Sequence, residues 1–175
     1  MNNLDLPSGV GEKTVSMFAN ASSTKPEDTK IKLLLEAIHN GQDEIQINRL
    51  RNLLQEGKKD EYNRDKKKLP AFTTSGKFSK RNAKGLLDHS GIIQIDIDKV
   101  VNPAELRDKL IQDKHICAAF ISPSGKGVKC LMLTIADPTK HKAAFIAAEN
   151  YLKDRYNVQI DKACKDVSRL CFVSY

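Results

Sequence analysis

The sequence predicts an α+β fold, and two observations support this prediction. Helix-like and strand-like hydrophobic patterns both occur along the 175 residues. The strand-like runs are concentrated after residue 90, whereas helix-like patterns dominate before it. No apolar run approaches the roughly 18 residues that a transmembrane helix needs, so the sequence offers no membrane span. A chain of this length forms one domain or two small ones.

Residues 1–90 are predicted to form an N-terminal lobe built mainly from helices. Residues 1–11 show no regular pattern, and Thr14–Phe18 fits one short strand. The TKPE motif at residues 24–27 combines a capping box with an early proline, which predicts the start of a helix. Two amphipathic helices follow, each ending at a glycine, with apolar positions Ile31, Leu34, Leu35, Ile38, Ile47, Leu50, Leu53 and Leu54.

Residues 91–175 alternate strands and helices in the order β-α-β-β-α-β. The predicted strands are 91–97, 116–121, 128–135 and 170–173, and the predicted helices are 103–112 and 138–156. This order is the ferredoxin-like plan, which RNA-recognition domains share. It predicts a four-stranded antiparallel sheet with two helices on one face and an open face for binding. The lobe and this core are expected to form one compact unit.

The net charge of +7 has a single source in the sequence. The stretch 58–84 holds ten lysines and arginines against three acidic residues, and it therefore accounts for the whole excess. A concentrated basic stretch indicates contact with a polyanion such as nucleic acid, although solubilising lysines produce the same count. The predicted nucleic-acid-binding residues are Lys66, Lys67, Lys68, Lys77, Lys80, Arg81 and Lys84.

A pair of acidic residues marks the end of the first core strand. Side chains alternate across a strand, so Ile93 and Ile95 share one face while Asp96 and Asp98 share the other. Two adjacent carboxylates repel each other unless a cation lies between them, and Mg²⁺ favours such oxygen ligands. The pair therefore predicts a metal-assisted phosphoryl-transfer site, with solvated carboxylates at a strand end as the alternative.

The turn SPSGKG between the second and third core strands has the composition of a phosphate-binding loop. Glycines free the backbone N–H groups to face an anion, and serines and lysines add further donors. An ordinary hairpin loop has the same chemistry. The candidate residues are Ser122, Ser124, Gly125, Lys126, Gly127 and Lys129, together with Arg169 from the C-terminal segment, where a structural Arg–Asp pair is an equally good alternative.

The cysteines show no metal-binding or disulfide pattern. Cys117, Cys130, Cys164 and Cys171 include no CxxC pair. Free buried thiols in a reducing cytoplasm are therefore expected, which predicts a cytoplasmic location.

Four segments together resemble a known family. LPAFTTSGKF, HSGIIQIDID, FISPSGKGVKCLM and IDKACKDVSRLCFVSY occur in this order over residues 69–175. They resemble the N-terminal domain family found on virulence-protein-E-like proteins of Bacteroidetes mobile elements, which is similar to a branch of the archaeo-eukaryotic primase, or primase-polymerase, superfamily.

The resemblance implies a metal-dependent nucleotidyltransferase that acts in the replication of a mobile element. Asp96, Asp98 and Asp161 would hold two Mg²⁺ or Mn²⁺ ions, with Asp166 as the alternative third acid. The implied partners are nucleoside triphosphates, single-stranded DNA or a primer–template, and a helicase domain downstream in longer relatives. Lys129 stands where the superfamily usually has a histidine. The intact acids favour the nucleotidyltransferase, whereas this departure favours the second possibility, a non-catalytic nucleic-acid-binding module of a replication or transposition protein.

Overall fold

A computed structural model of the chain describes residues 6–175 and confirms an α+β fold. The first five residues of the irregular segment predicted at 1–11 lie outside the described residues. The strands are β1 Thr14–Phe18, β2 Glu27–Lys30, β3 Ala71–Thr73, β4 Gly76–Phe78, β5 Leu86–His89, β6 Ile92–Ile97, β7 Ile116–Ile121, β8 Val128–Leu133 and β9 Cys171–Phe172. The helices are α1 Ile31–His39, α2 Glu44–Gln55, α3 Lys59–Lys66, α4 Pro103–Leu110 and α5 His141–Tyr156.

The first helix begins later than the capping-box pattern predicted. Residues 27–30 form β2 and pair antiparallel with β1, so the prediction of a helix start at residues 24–27 was wrong. The backbone hydrogen bonds to β1 outweigh the local helix-start signal here, since tertiary pairing routinely overrides propensity. Helix α1 follows directly after β2, and its four buried residues are the ones that its periodicity indicated, Ile31, Leu34, Leu35 and Ile38.

The core sheet has three strands instead of the predicted four. Its order is β6-β8-β7, and all pairs are antiparallel. The last strand, β9, pairs with β3 in a separate four-stranded sheet of order β2-β1-β3-β9. The segment before β9 covers the free edge of β6 instead, because the Asp161 N–H donates to the Asp96 carbonyl over 2.8 Å. The lobe and the core therefore share a sheet.

The two faces of β6 are buried in different ways. Ile93, Ile95 and Ile97 pack beneath α4 and α5 against residues such as Leu110 and Phe145, as the alternation predicted. The opposite face is covered over most of its length, because Ile92 and its neighbours on β7 and β8 pack against α1 and Phe72. The face expected to be open is therefore accessible mainly near Asp96.

The cysteines and the helix lengths also agree with the sequence analysis. All four cysteines are buried free thiols. In the stretch from residue 6 onwards, the structure contains no helix with the length and apolar character to cross a membrane.

Candidate functional site

A cleft of about 520 Å³ lies where the N-terminal lobe meets the end of β6. Its lining comes from α3 and the residue after it, from the loop after β4, from β6 and β8, and from the segment that leads into β9. The charged groups among these residues are five cations and two carboxylates: Lys66, Lys67, Arg81, Lys129, Arg169, Asp96 and Asp166. The cleft is therefore strongly cationic.

A buried ion pair forms the floor of the cleft. The strand register places Lys129 on β8 directly opposite Asp96 on β6, and Lys129 Nζ lies 2.7 Å from Asp96 Oδ2. Only 5% of the Lys129 side chain and 14% of the Asp96 side chain are exposed. The second carboxylate oxygen of Asp96 accepts a hydrogen bond from Gln94 Nε2 over 2.9 Å. Both oxygens of Asp96 thus have donors.

The ion pair determines the charge state of both partners. Burial opposes the ionisation of Asp96, but the Lys129 charge and the hydrogen bonds from Lys129 and Gln94 outweigh it and lower the pKa of Asp96. Burial likewise opposes the charge on Lys129, but the Asp96 carboxylate outweighs it and raises the Lys129 pKa. Both groups are therefore charged at neutral pH.

Lys66 forms part of the wall of the cleft from the end of α3. Its Nζ lies 5.3 Å from the centroid of the half-buried Phe172 ring, within cation–π range. Burial and the nearby Lys129 charge lower the pKa of Lys66. No carboxylate of residues 6–175 lies within ion-pair distance of Lys66. A bound anion would relieve this unfavourable environment.

Two arginines complete the cationic lining. Arg81 donates from Nη2 to the Ala21 carbonyl over 2.8 Å, while its buried Nε has no partner among the described residues. Arg169 donates from Nη2 to Asp161 Oδ2 over 3.0 Å. These contacts hold both guanidinium groups in place at the cleft. Planar guanidinium groups are well suited to phosphate oxygens.

The three predicted metal-binding acids do not all come together. Asp96 and Asp161 can bring ligand atoms within 4.8 Å of each other, and the third member of that group is Cys164. Asp98 is exposed beyond the end of β6 and lies outside the group. Asp166 lines the cleft, where its Oδ1 accepts hydrogen bonds from Ser168. The sequence did not indicate that Cys164 lies beside these acids, since a lone cysteine gives no spacing signal.

This donor set does not fit a pair of Mg²⁺ or Mn²⁺ ions. The oxygens of Asp96 are already bound to Lys129 and Gln94, and Asp161 is bound to Arg169 and caps the 3-10 turn that follows it. Burial raises the pKa of the Cys164 thiol to about 12, so this group is protonated at neutral pH. Hard divalent cations require free oxygen ligands.

The predicted phosphate-binding turn uses several of its donors internally. The Gly125 N–H donates to the Ser122 carbonyl, and the hydroxyls of Ser122 and Ser124 lie 2.9 Å apart in a hydrogen bond. The Lys126 N–H donates to the Ser124 hydroxyl. At Gly127, a Cβ atom would lie 2.5 Å from the Ile97 carbonyl oxygen, so this glycine permits close packing against the end of β6. Of the predicted phosphate-binding residues, the cleft is lined by Lys129 and Arg169.

The predicted basic patch divides into several groups. Lys66, Lys67 and Arg81 line the cleft. Lys68 pairs with Asp65 over 2.7 Å and Lys77 pairs with Asp28 over 2.6 Å, while Lys80 and Lys84 are exposed outside the cleft lining. The charge count identified a segment that contributes three cations to the cleft lining, but it could not separate these residues from those that pair with acids.

The fold and the cleft define an α+β domain with a cationic cleft. The chain belongs to the family described as BT4734-like, N-terminal domain, whose model matches residues 64–175, more than half of the sequence. The matched segment contains every charged residue that lines the cleft. Searches of curated proteins and of solved structures gave no match.

Proposed function

We propose that this domain binds single-stranded nucleic acid through phosphates held in the cationic cleft. The observation that carries the proposal is the charge of the lining, where five cations face two carboxylates and one carboxylate, Asp96, is already neutralised by Lys129. Phosphate contacts by lysine and arginine supply most of the affinity in such complexes. The domain would serve a replication or transposition protein, as the resemblance to the virulence-protein-E-associated and primase-polymerase families suggests.

An aromatic side chain in the cleft favours a single strand over a duplex. The cleft has a volume of about 520 Å³, and Phe172 is among the residues that line it. Proteins that bind single strands combine a cationic groove with aromatic side chains on which bases stack. Phe172 supplies such a surface beside Lys66.

Metal-dependent nucleotidyl transfer is the second candidate, and one observation favours it. Asp96 and Asp161 come close enough to share an ion, as the resemblance to the primase-polymerase superfamily implies. This function would require the ion to replace Lys129 and Arg169 as partners of the two carboxylates. A primer-extension assay tests this candidate. Extension by the parent protein that requires Mn²⁺ and is lost in Asp96→Asn would establish nucleotidyl transfer as the function.

Charge reversal in the cleft tests the binding proposal. Lys67 lines the cleft and is exposed, so Lys67→Glu should fold normally and weaken binding to a labelled single-stranded DNA. It should also flatten the log–log salt dependence by about 0.7 for each phosphate that the variant no longer neutralises. Fluorescence anisotropy over a range of NaCl concentrations measures both quantities.

The matched control is Lys153→Glu, which makes the same change in net charge. Lys153 lies on α5, and this helix packs on the face of the core sheet opposite the cleft. Lys153→Glu should leave the affinity within about twofold of the parent. Equal decreases in the two variants would show that binding follows net charge and not the cleft. An absence of binding by the parent protein would refute the proposal.

A further inference from the structure

The partners of Asp96 distinguish this cleft from a metal centre. One oxygen of Asp96 accepts from the Lys129 ammonium and the other accepts from the Gln94 amide. Lys129 is brought there by the pairing of β6 with β8, in which Asp96 and Lys129 are direct cross-strand neighbours. The contact is therefore built into the sheet and does not depend on a flexible surface side chain.

Lys129 is also one of the residues that line the cleft. It has three N–H donors, and Asp96 is its hydrogen-bond partner within residues 6–175. Lys129 lines the same cavity as Lys66, Lys67 and Arg169. Donor capacity on the ammonium is therefore available to an oxyanion that enters the cleft, while the bond to Asp96 is kept.

We propose that Lys129 acts as a tethered cation, neutralising Asp96 permanently and donating to a bound phosphate, so that binding in this cleft uses no divalent metal ion. The inference rests on the proposed function and adds a property to it. Lys129 takes the part that a metal ion would have between a protein carboxylate and a phosphate.

The energetics of the pair favour this arrangement over exchange with a metal ion. A metal ion on Asp96 would leave the Lys129 ammonium buried without its counter-ion. Breaking a buried ion pair by removing one partner is strongly unfavourable, because the remaining charge is left uncompensated. Only 5% of the Lys129 side chain is exposed, so solvent compensates little of its charge when Asp96 is removed.

Removing the ammonium alone and removing the whole pair give different results under this proposal. Lys129→Met should lower the affinity for single-stranded DNA in EDTA by about tenfold or more, the effect of deleting one charge-assisted hydrogen bond. Mn²⁺ should restore part of the affinity, because Asp96 then has a free oxygen. The double variant Asp96→Asn with Lys129→Met is the matched control, because it removes both charges. It should bind DNA more weakly than the parent protein, and Mn²⁺ should not restore its affinity, because it lacks the Asp96 carboxylate.

The parent protein provides the readout that does not depend on any variant folding. Its DNA affinity should be the same in EDTA and in Mn²⁺ at matched ionic strength, and Mn²⁺ alone should not raise its melting temperature. A rise in melting temperature with Mn²⁺ that Asp96→Asn abolishes would overturn the inference. A Lys129→Met protein that folds and keeps the parent affinity would also overturn it. If the parent protein binds DNA only in Mn²⁺, the role proposed for Lys129 is refuted but nucleic-acid binding by the domain is not. If the parent protein binds DNA neither in EDTA nor in Mn²⁺, the proposed function itself is refuted.

Discussion

The cleft and the SPSGKG turn have similar compositions but differ in how far their donors are already used within the fold. Both contain lysines and lie next to the end of β6. In the turn, the N–H groups of Gly125 and Lys126 and the serine hydroxyls bond to other atoms of the turn. In the cleft, Lys66 has no acidic partner in the described chain and Arg81 keeps an Nε that no atom of residues 6–175 satisfies. The exposed Lys126 ammonium of the turn also has no acidic partner in the described chain. The difference is therefore that most backbone and hydroxyl donors of the turn are used within it, whereas the cleft brings several cationic side chains together.

The largest expected effect tests whether the floor of the cleft is a true buried pair. Lys129→Met should lower the free energy of unfolding by about 3–5 kcal/mol, because Asp96 is left buried and uncompensated. The double variant that adds Asp96→Asn should recover most of this stability. Urea denaturation of the parent, both single variants and the double variant measures the coupling. Additive effects in the double variant would mean that the two groups do not act as a pair.

The next effect tests whether the SPSGKG turn has a structural role or binds phosphate. Gly127→Ala forces a Cβ against the Ile97 carbonyl oxygen and should cost about 1–3 kcal/mol of stability. The DNA affinity of the folded variant should stay at the parent value, because the turn donors are not used for phosphate. Urea denaturation and fluorescence anisotropy give the two quantities. A stable Gly127→Ala protein with reduced affinity for DNA would indicate that the turn, and not the cleft, binds the phosphates.

A third effect concerns a buried histidine pair that belongs neither to the lining of the cleft nor to the turn. His89 Nε2 and His141 Nδ1 lie 3.0 Å apart. Burial and the neighbouring His89 lower the pKa of His141 to about 4, and burial lowers the pKa of His89. The unfolded chain takes up protons near pH 6.5 and the folded chain only at lower pH, so stability should decrease as the pH falls from about 6.5 towards 4.

Melting temperatures over this pH range measure the effect, and His141→Gln should flatten the profile. The exposed His39 on α1 is the control position, and His39→Gln should leave the profile unchanged. An unchanged profile in His141→Gln would mean that the carboxylates, and not the histidine pair, determine the acid sensitivity.

Periodic patterns predicted much of the fold, whereas pairings distant in sequence could not be predicted. The isoleucines of β6 and the apolar stripe of α1 lie where their spacing placed them. Strands β3, β4 and β5 lie in or beside the basic stretch and are three or four residues long, so they carry too little periodicity to be detected. The pairing of β9 with β3 joins residues that are about a hundred positions apart, and no local signal indicates it.

The sequence identified many of the residues that line the cleft, but it did not predict which of them contact each other. Asp96, Lys129, Arg169 and three members of the basic stretch were all identified from the sequence and all line the cleft. Their motif assignments placed Asp96 with metal ions and Lys129 with a phosphate loop. The strand register instead joins them directly, and register is fixed by the assembled sheet.

Binding of nucleic acid phosphates in the cationic cleft, without a metal ion, can be tested in one titration. The most direct measurement is the affinity of the parent protein for a labelled single-stranded DNA, in EDTA and in Mn²⁺ at matched ionic strength, with Lys67→Glu alongside. We expect equal affinity in the two solutions, and weaker binding with a flatter salt dependence in Lys67→Glu. Binding that appears only with Mn²⁺, or that Lys67→Glu leaves unchanged, would contradict this mode of binding.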